Sequence, residues 1–250
     1  MSRHPSFPMH AMALVLLLLA GSVRAAETQW WVSNAPGDHL KSEASGVLIT
    51  PEGVLQPGPR TDRFPTDSLE VAWSMAMLAD GSIAVGGDHG RVLRWNAGQG
   101  WRVWARLGSG QVLALVADGD GAVVGTGPRG LVYRISAKGD TTRLADTGER
   151  YVWGLASAGK GAWYAATGTR GRLLRIAGGK TSTLLDVDED NLVSLVADGQ
   201  GGVYAGGDSH GRIVHVDAKG LASTLYDAPE SEIRSLARSS DGTVYAAALT

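Results

Sequence analysis

Residues 152–186 read VWGLASAGKGAWYAATGTRGRLLRIAGGKTSTLLD, which is four short apolar runs separated by glycine-containing turns. The same arrangement returns in residues 192–227 as LVSLVADGQGGVYAGGDSHGRIVHVDAKGLASTLYD. The runs have four to six residues, which is short for helices but ordinary for strands. Asp-Gly and Lys-Gly pairs between the runs favour tight turns with positive φ. Each stretch therefore predicts four antiparallel strands, which we call a, b, c and d.

This four-run unit is an internal repeat that covers most of the chain. The third position of the first run falls at Ser74, Ala114, Gly154, Ser194 and Ser235, in steps of 40, 40, 40 and 41 residues. Four antiparallel strands in a period of about 40 residues are typical of a β-propeller blade. A blade cannot bury both of its faces alone, so blades stack around an axis. We predict an all-β fold, a β-propeller of about five blades.

The repeat defines the expected boundaries. Full repeats span 72–111, 112–151, 152–191 and 192–231, and half-blades are expected at 46–60 and 232–250. The first half-blade matches strands c and d, and the last matches strands a and b. Pairing of the two would close a five-bladed propeller, spanning 46–250, and remove exposed strand edges. The alternative is that the chain is a fragment of a longer protein with several propellers.

The first 26 residues have the pattern of a secretory signal peptide. A weakly positive start is followed by about ten apolar residues from Ala11 to Ala20, too few for the roughly 20 that span a membrane. We expect cleavage near Ala25 or Ala26, a periplasmic or secreted protein without a membrane span in the mature chain, and a lead-in over residues 27–45.

Composition excludes several functions. The chain has 23 basic and 25 acidic residues, a net charge of −2, so counterion release gives little affinity for nucleic acid. It has no cysteine, which excludes disulfides, thiolate metal sites and a cysteine nucleophile. We expect a monomer that binds no nucleic acid.

Three segments carry a family resemblance: EVAWSMAMLADGSIAVGG (70–87), ATGTRGRLLRI (166–176) and STLYDAPESEIRSLARSSDGTVYAAAL (223–249). They resemble secreted bacterial propeller-repeat proteins of the WD-repeat-like or quinoprotein-like superfamily. The resemblance implies architecture rather than activity. The Gly-His and Trp-Asp pairs of true WD repeats are missing, and so is the tryptophan-docking pattern of quinoprotein dehydrogenases, so no cofactor is carried over.

The repeat also generates a candidate binding face. The residue before the second glycine of each repeat lies in the b–c loop and is His89, Arg129, Arg170 or His210. Loops that connect strand d to the next strand a lie on the same face of a propeller and carry or border acids that include Glu149, Glu189 and Glu232. These charges either form exposed ion pairs between blades or build a polar recognition surface, since loops on a rigid scaffold often carry binding.

Two further features leave alternatives open. Trp73, Trp153 and Arg234 share one register position on strand a, where a side chain either packs between blades or lines the axial channel. Residues 186–191, DVDEDN, alternate acids as a calcium loop does, but Asn191 stands where that loop needs glycine and Ala197 where it needs glutamate. We expect a solvated acidic loop, with a weak calcium site as the alternative, and no other cofactor.

The blades are nearly interchangeable, whereas catalytic sites draw different groups from different blades. We therefore expect a non-catalytic binding or scaffold propeller for a protein or a small polar ligand. The alternative is a hydrolase or lyase that uses His89, His210 and acids of the same face, with or without a divalent ion.

Overall fold

The structure is a computed structural model that describes residues 35–39, 43–59, 69–108 and 110–250. The predicted signal peptide and its cleavage site lie outside these residues, as does most of the predicted lead-in. Two short 3-10 turns occur in the described part, Pro36–His39 and Asp88–Gly90; its other regular elements are β-strands. Neither turn has the length or apolar character that crossing a bilayer requires.

The chain divides into two compact units, Met1–Phe64 and Pro65–Thr250. The described part of the first unit contains one antiparallel hairpin, formed by β1 (Val47–Ile49) and β2 (Leu55–Pro57). The amide of Gly53 donates to the carbonyl of Thr50 at 2.9 Å and closes the turn between them.

The second unit contains four antiparallel four-stranded sheets and a final two-stranded sheet. Each four-stranded sheet is one blade, with its strands in chain order. The strands are β3 (Ala72–Met77), β4 (Ile83–Gly87), β5 (Arg91–Asn96) and β6 (Gly100–Arg106) in blade 1; β7 (Gln111–Asp118), β8 (Gly121–Gly127), β9 (Leu131–Ile135) and β10 (Thr141–Asp146) in blade 2; β11 (Tyr151–Gly159), β12 (Ala162–Gly168), β13 (Arg172–Ala177) and β14 (Lys180–Asp186) in blade 3; and β15 (Leu192–Ala197), β16 (Val203–Gly207), β17 (Arg212–Val216) and β18 (Ala222–Asp227) in blade 4. The final sheet pairs β19 (Glu232–Arg238) with β20 (Val244–Leu249).

The predicted β-propeller of four-stranded antiparallel blades is confirmed. Strands β7 and β11 begin at Gln111 and Tyr151, one residue before the corresponding predicted repeats. Closure of the ring by pairing of the two terminal half-blades stays a prediction.

The core lies between successive blades. Strands β8 and β12 are buried along their whole length, because each is a second strand covered on both faces. Val92 of blade 1 packs with Val124 and Ile135 of blade 2, and Leu173 of blade 3 packs with Leu192 and Val203 of blade 4. Burying one such side chain contributes about 1.5–3 kcal/mol, so the stacked blades form a firm support for the loops at their ends.

Hydrogen bonds also cross between neighbouring blades. The hydroxyl of Ser74 donates to the carbonyl of Val112 at 2.8 Å, and the hydroxyl of Ser194 donates to the carbonyl of Ile233 at 2.7 Å. The phenol of Tyr164 donates to the carbonyl of Gly201 at 2.6 Å. Each bond links a blade to the next sheet in the chain.

Candidate functional site

The four basic residues singled out by the repeat occupy equivalent loops. His89, Arg129, Arg170 and His210 all lie between the second and third strands of their blades and all are exposed. In an antiparallel four-stranded blade these b–c loops and the d–a loops emerge at the same end of the strands. We call this end the loop face.

The sequence analysis placed Glu149 among the exposed charges of this face. In the structure, Glu149 lies in the loop between β10 and β11 and is buried. Its side chain is only 3% exposed. It contacts the guanidinium groups of Arg170 at 2.8 Å and Arg172 at 3.2 Å, both from blade 3. Arg172 also binds Asp186 at 2.8 Å. The carboxylate is buried because the following blade supplies its partners, and we call this contact the 149 junction.

Glu189, forty residues later in the loop between β14 and β15, is buried in the same way but has different partners. It accepts hydrogen bonds from the backbone amides of Ser209 at 2.7 Å, His210 at 2.8 Å and Arg212 at 3.2 Å. The Ser209 hydroxyl adds a fourth at 3.0 Å. Burial raises the pKa of Glu189, but these hydrogen bonds, first those from the His210 and Ser209 amides, outweigh it and leave the pKa below its usual value. We call this contact the 189 junction.

A cleft of about 320 Å³ opens on the loop face where the b–c loops of blades 3 and 4 meet the loop between them. It brings together three of the residues predicted for the binding face, Arg170, Glu189 and His210. The carboxyl-bearing residues Asp188 and Asp190 complete its polar rim and are exposed. Arg129 does not line this cleft; it borders a separate, smaller one of about 100 Å³ in blade 2.

A second cavity of about 280 Å³ is lined by the first strands of all four blades and by β19. Because strand a is the innermost strand of each blade, this cavity is the axial channel. Trp153 and Arg234 line it, which is one of the two alternatives that their shared register position left open. Trp73 does not line this channel, although the residue lies on β3 and is 48% exposed.

A chain of hydrogen bonds connects the channel to the loop face. The indole of Trp153, which stacks on Tyr151 at 4.9 Å, donates to the side-chain oxygen of Asn191 at 3.0 Å. Asn191 in turn donates from its side-chain amide to the carboxylate of Asp208 at 2.7 Å and from its backbone amide at 2.8 Å. The sequence analysis did not select Asp208 as a functional residue. Its position two residues before His210, in the same b–c loop, could have indicated it.

Glu232 and Arg234 form their own pair on the last half-blade. The guanidinium of Arg234 donates to the Glu232 carboxylate at 3.0 Å, and the Arg234 side chain is 65% exposed. The charge at this position of strand a is therefore paired and hydrated, whereas the other blades place apolar or aromatic side chains there.

The acidic segment 186–191 does not gather its carboxylates in the described structure. Asp186 pairs with Arg172, Glu189 accepts from backbone amides, and Asp188 and Asp190 are exposed. Among the described residues, Glu70, Asp88 and His89 are the side chains that do bring three possible metal-ligand atoms close together. Calcium binding at 186–191 stays a prediction.

Solved structures with the same fold support the assignment of a propeller. A streptogramin B lyase is 15% identical, with 81% of this chain and 68% of that chain covered and a TM-score of 0.64. A chain of the nidogen/laminin complex is 12% identical, with 67% and 70% covered and a TM-score of 0.58. An extracellular domain of a one-component system from B. thetaiotaomicron is 17% identical, with 83% and 31% covered and a TM-score of 0.57.

Neither a protein-family model nor a curated protein sequence matches the chain. At identities this low the likeness to solved structures concerns the fold, which hosts both enzymes and binding domains. The fold and the loop face therefore define the class, a β-propeller whose blade-end loops carry its charged groups.

Proposed function

We propose that this protein is a secreted or periplasmic, monomeric binding propeller without catalytic activity, whose loop face takes a protein or a small polar ligand. The observation that carries the proposal is the cleft between blades 3 and 4, where side chains from three loops meet over a rigid base. Binding sites are typically concave and carry a few converging polar groups.

The partners of the cleft residues indicate which groups meet a ligand. Arg170 is paired with the carboxylate of Glu149, the carboxylate of Glu189 accepts from backbone amides, and Asp186 is paired with Arg172. Asp188, Asp190 and His210 line the cleft and are exposed. These groups are mainly acceptors, which favours a ligand that presents N–H or O–H donors, such as a basic peptide side chain or a polyol.

The neighbours are compatible with this proposal. One of them belongs to a protein complex and another is an extracellular domain. A propeller needs no deviation from its repeat to act as a display scaffold, because its rigid blades already hold the loops in place.

The test is a thermal-shift and calorimetry screen of amines, basic dipeptides and polyols against the chain and its variants. We expect a hit to raise the midpoint of unfolding, because a ligand that binds only the folded state stabilises it. The shift should shrink in Asp188→Asn and Asp190→Asn. Asp227→Asn is the matched control, since Asp227 ends strand d one blade later and lies outside the cleft. Equal binding by all three variants would place the site elsewhere.

The alternative is a hydrolase or lyase that uses histidine and acids of the same face. Two contacts favour it: His89 Nε2 lies 3.3 Å from Asp88, and His210 Nδ1 lies 4.0 Å from Glu189. The two histidines belong to different blades, however, and no group of close metal-ligand atoms in the described part of the chain contains both. A turnover assay on a positive ligand from the screen separates the two functions.

A further inference from the structure

We propose that Glu70, Asp88 and His89 form a binding site for a divalent transition ion of the zinc class, on the loop face of blade 1. This inference does not rest on the proposed function, because none of the three residues lines the cleft between blades 3 and 4.

The geometry brings three ligand atoms together. One carboxylate oxygen from Glu70, one from Asp88 and one imidazole nitrogen of His89 lie within 4.8 Å of one another. Ligand atoms bound to one ion at about 2.0–2.2 Å lie roughly 3 to 4.4 Å apart. Glu70 and His89 are exposed, so small rotations of their side chains bring the three atoms to that spacing.

Two segments are held together at this site before any ion binds. Glu70 precedes β3, whereas Asp88 and His89 follow β4. The backbone amide of Glu70 donates to Asp88 Oδ1 at 3.3 Å, and His89 Nε2 lies 3.3 Å from Asp88 Oδ2. Asp88 takes part in both contacts and is buried. Its side chain is therefore held in place before an ion binds, whereas Glu70 and His89 are exposed.

The donor set selects the class of ion. An imidazole nitrogen with two carboxylate oxygens suits zinc, manganese, cobalt and nickel. Calcium and magnesium prefer sites built from oxygen alone. A zinc-class ion would take these three ligands and complete its coordination with water.

Arg91 lies beside the site and affects its strength. Its guanidinium donates to Asp88 Oδ2 at 2.8 Å. A carboxylate accepts about four hydrogen bonds or ligand contacts, so this bond leaves acceptor positions on Asp88 and orients it, as outer-shell partners of metal ligands do. The positive charge of Arg91 also neutralises one of the two carboxylate charges, so we expect the site to bind the metal ion with modest rather than high affinity.

Blade 4 supplies a matched control, because His210 has the same register as His89. There the nearby acids are bound to protein amides: Asp208 accepts from the backbone amide of Asn191, and Glu189 accepts from the amides of the His210 loop. His210→Ala should therefore leave metal binding unchanged, although it removes an exposed histidine of the same loop.

The experiment is calorimetric titration of zinc into the untagged, chelator-treated protein, with cobalt absorption spectra as a second readout. We expect one ion per chain, an affinity at least tenfold lower in His89→Ala and in Glu70→Gln, and wild-type affinity in His210→Ala. Melting curves without metal confirm that the variants are folded.

Three results would overturn the proposal: no zinc binding at millimolar concentration, binding that His89→Ala leaves unchanged, or binding that His210→Ala removes. Preferential binding of calcium at this site would contradict the assigned class of ion. A negative ligand screen at the cleft would leave this result untouched, so the two proposals fail separately.

Discussion

Glu149 and Glu189 stand forty residues apart at the same position of consecutive blades, and each is buried by the blade that follows. The 149 junction satisfies its carboxylate with two arginine side chains, one of them 57% exposed. The 189 junction satisfies the equivalent carboxylate, that of Glu189, with three backbone amides. The difference shows how a repeat diversifies: one position of the repeat is satisfied by side chains in one blade and by backbone amides in the next, and the backbone partners leave the side chain of His210 exposed on the loop face.

The largest expected effect concerns the glycine that supports the 149 junction. Gly130 has φ +55°, and a Cβ there would collide with the carbonyl oxygen of Glu149. We expect Gly130→Val to lower the free energy of unfolding by about 3–5 kcal/mol, from backbone strain and overpacking together. The neighbouring exposed Arg129→Ala should change it by less than about 0.5 kcal/mol. Chemical denaturation measures both, and equal midpoints for the two variants would contradict the conformational role of Gly130.

The next effect compares the two junctions directly. Glu189→Ala leaves three partly buried backbone amides without their acceptor, and an unpaired donor costs about 1–3 kcal/mol when it is fully buried. We expect a loss of about 3 kcal/mol for Glu189→Ala but only about 1 kcal/mol for Glu149→Ala, because Arg170 can turn its guanidinium to water. Urea denaturation of both variants tests this order. A larger loss for Glu149→Ala would show that the arginine partners are the more constrained set.

The smallest effect is the contribution of Glu189 to the pH dependence of stability. The pKa of Glu189 in the folded state lies below its usual value of 4.5, since the amides that bind it favour the ionised form. Its contribution to stability is therefore complete above that usual value and disappears as pH falls through the lower, folded pKa. We expect the stability difference between the protein and Glu189→Gln to be constant near neutral pH and to shrink below about pH 4.5. A difference that persists unchanged to pH 2 would rule out this titration.

The sequence predicted the blades because their signal is repeated: the position of Ser74 recurs at Ser194, and both hydroxyls make the same bond to the next blade. It also predicted which loops carry charge. It did not predict that Glu149 and Glu189 are buried, because burial depends on how far the following blade approaches. Nor did it predict that Glu70, Asp88 and His89 bring ligand atoms within 4.8 Å of one another, because sharing a face does not fix the distance between two loops.

The bonds between blades have one more consequence. The hydroxyl contacts of Ser74, Tyr164 and Ser194 join residues 38, 37 and 39 positions apart. Forming each contact closes a chain loop of nearly constant length, so the entropy lost at each step is nearly the same. Assembly can then start from any pair of adjacent blades and spread outward in equal increments, with no single long-range closure needed to begin it.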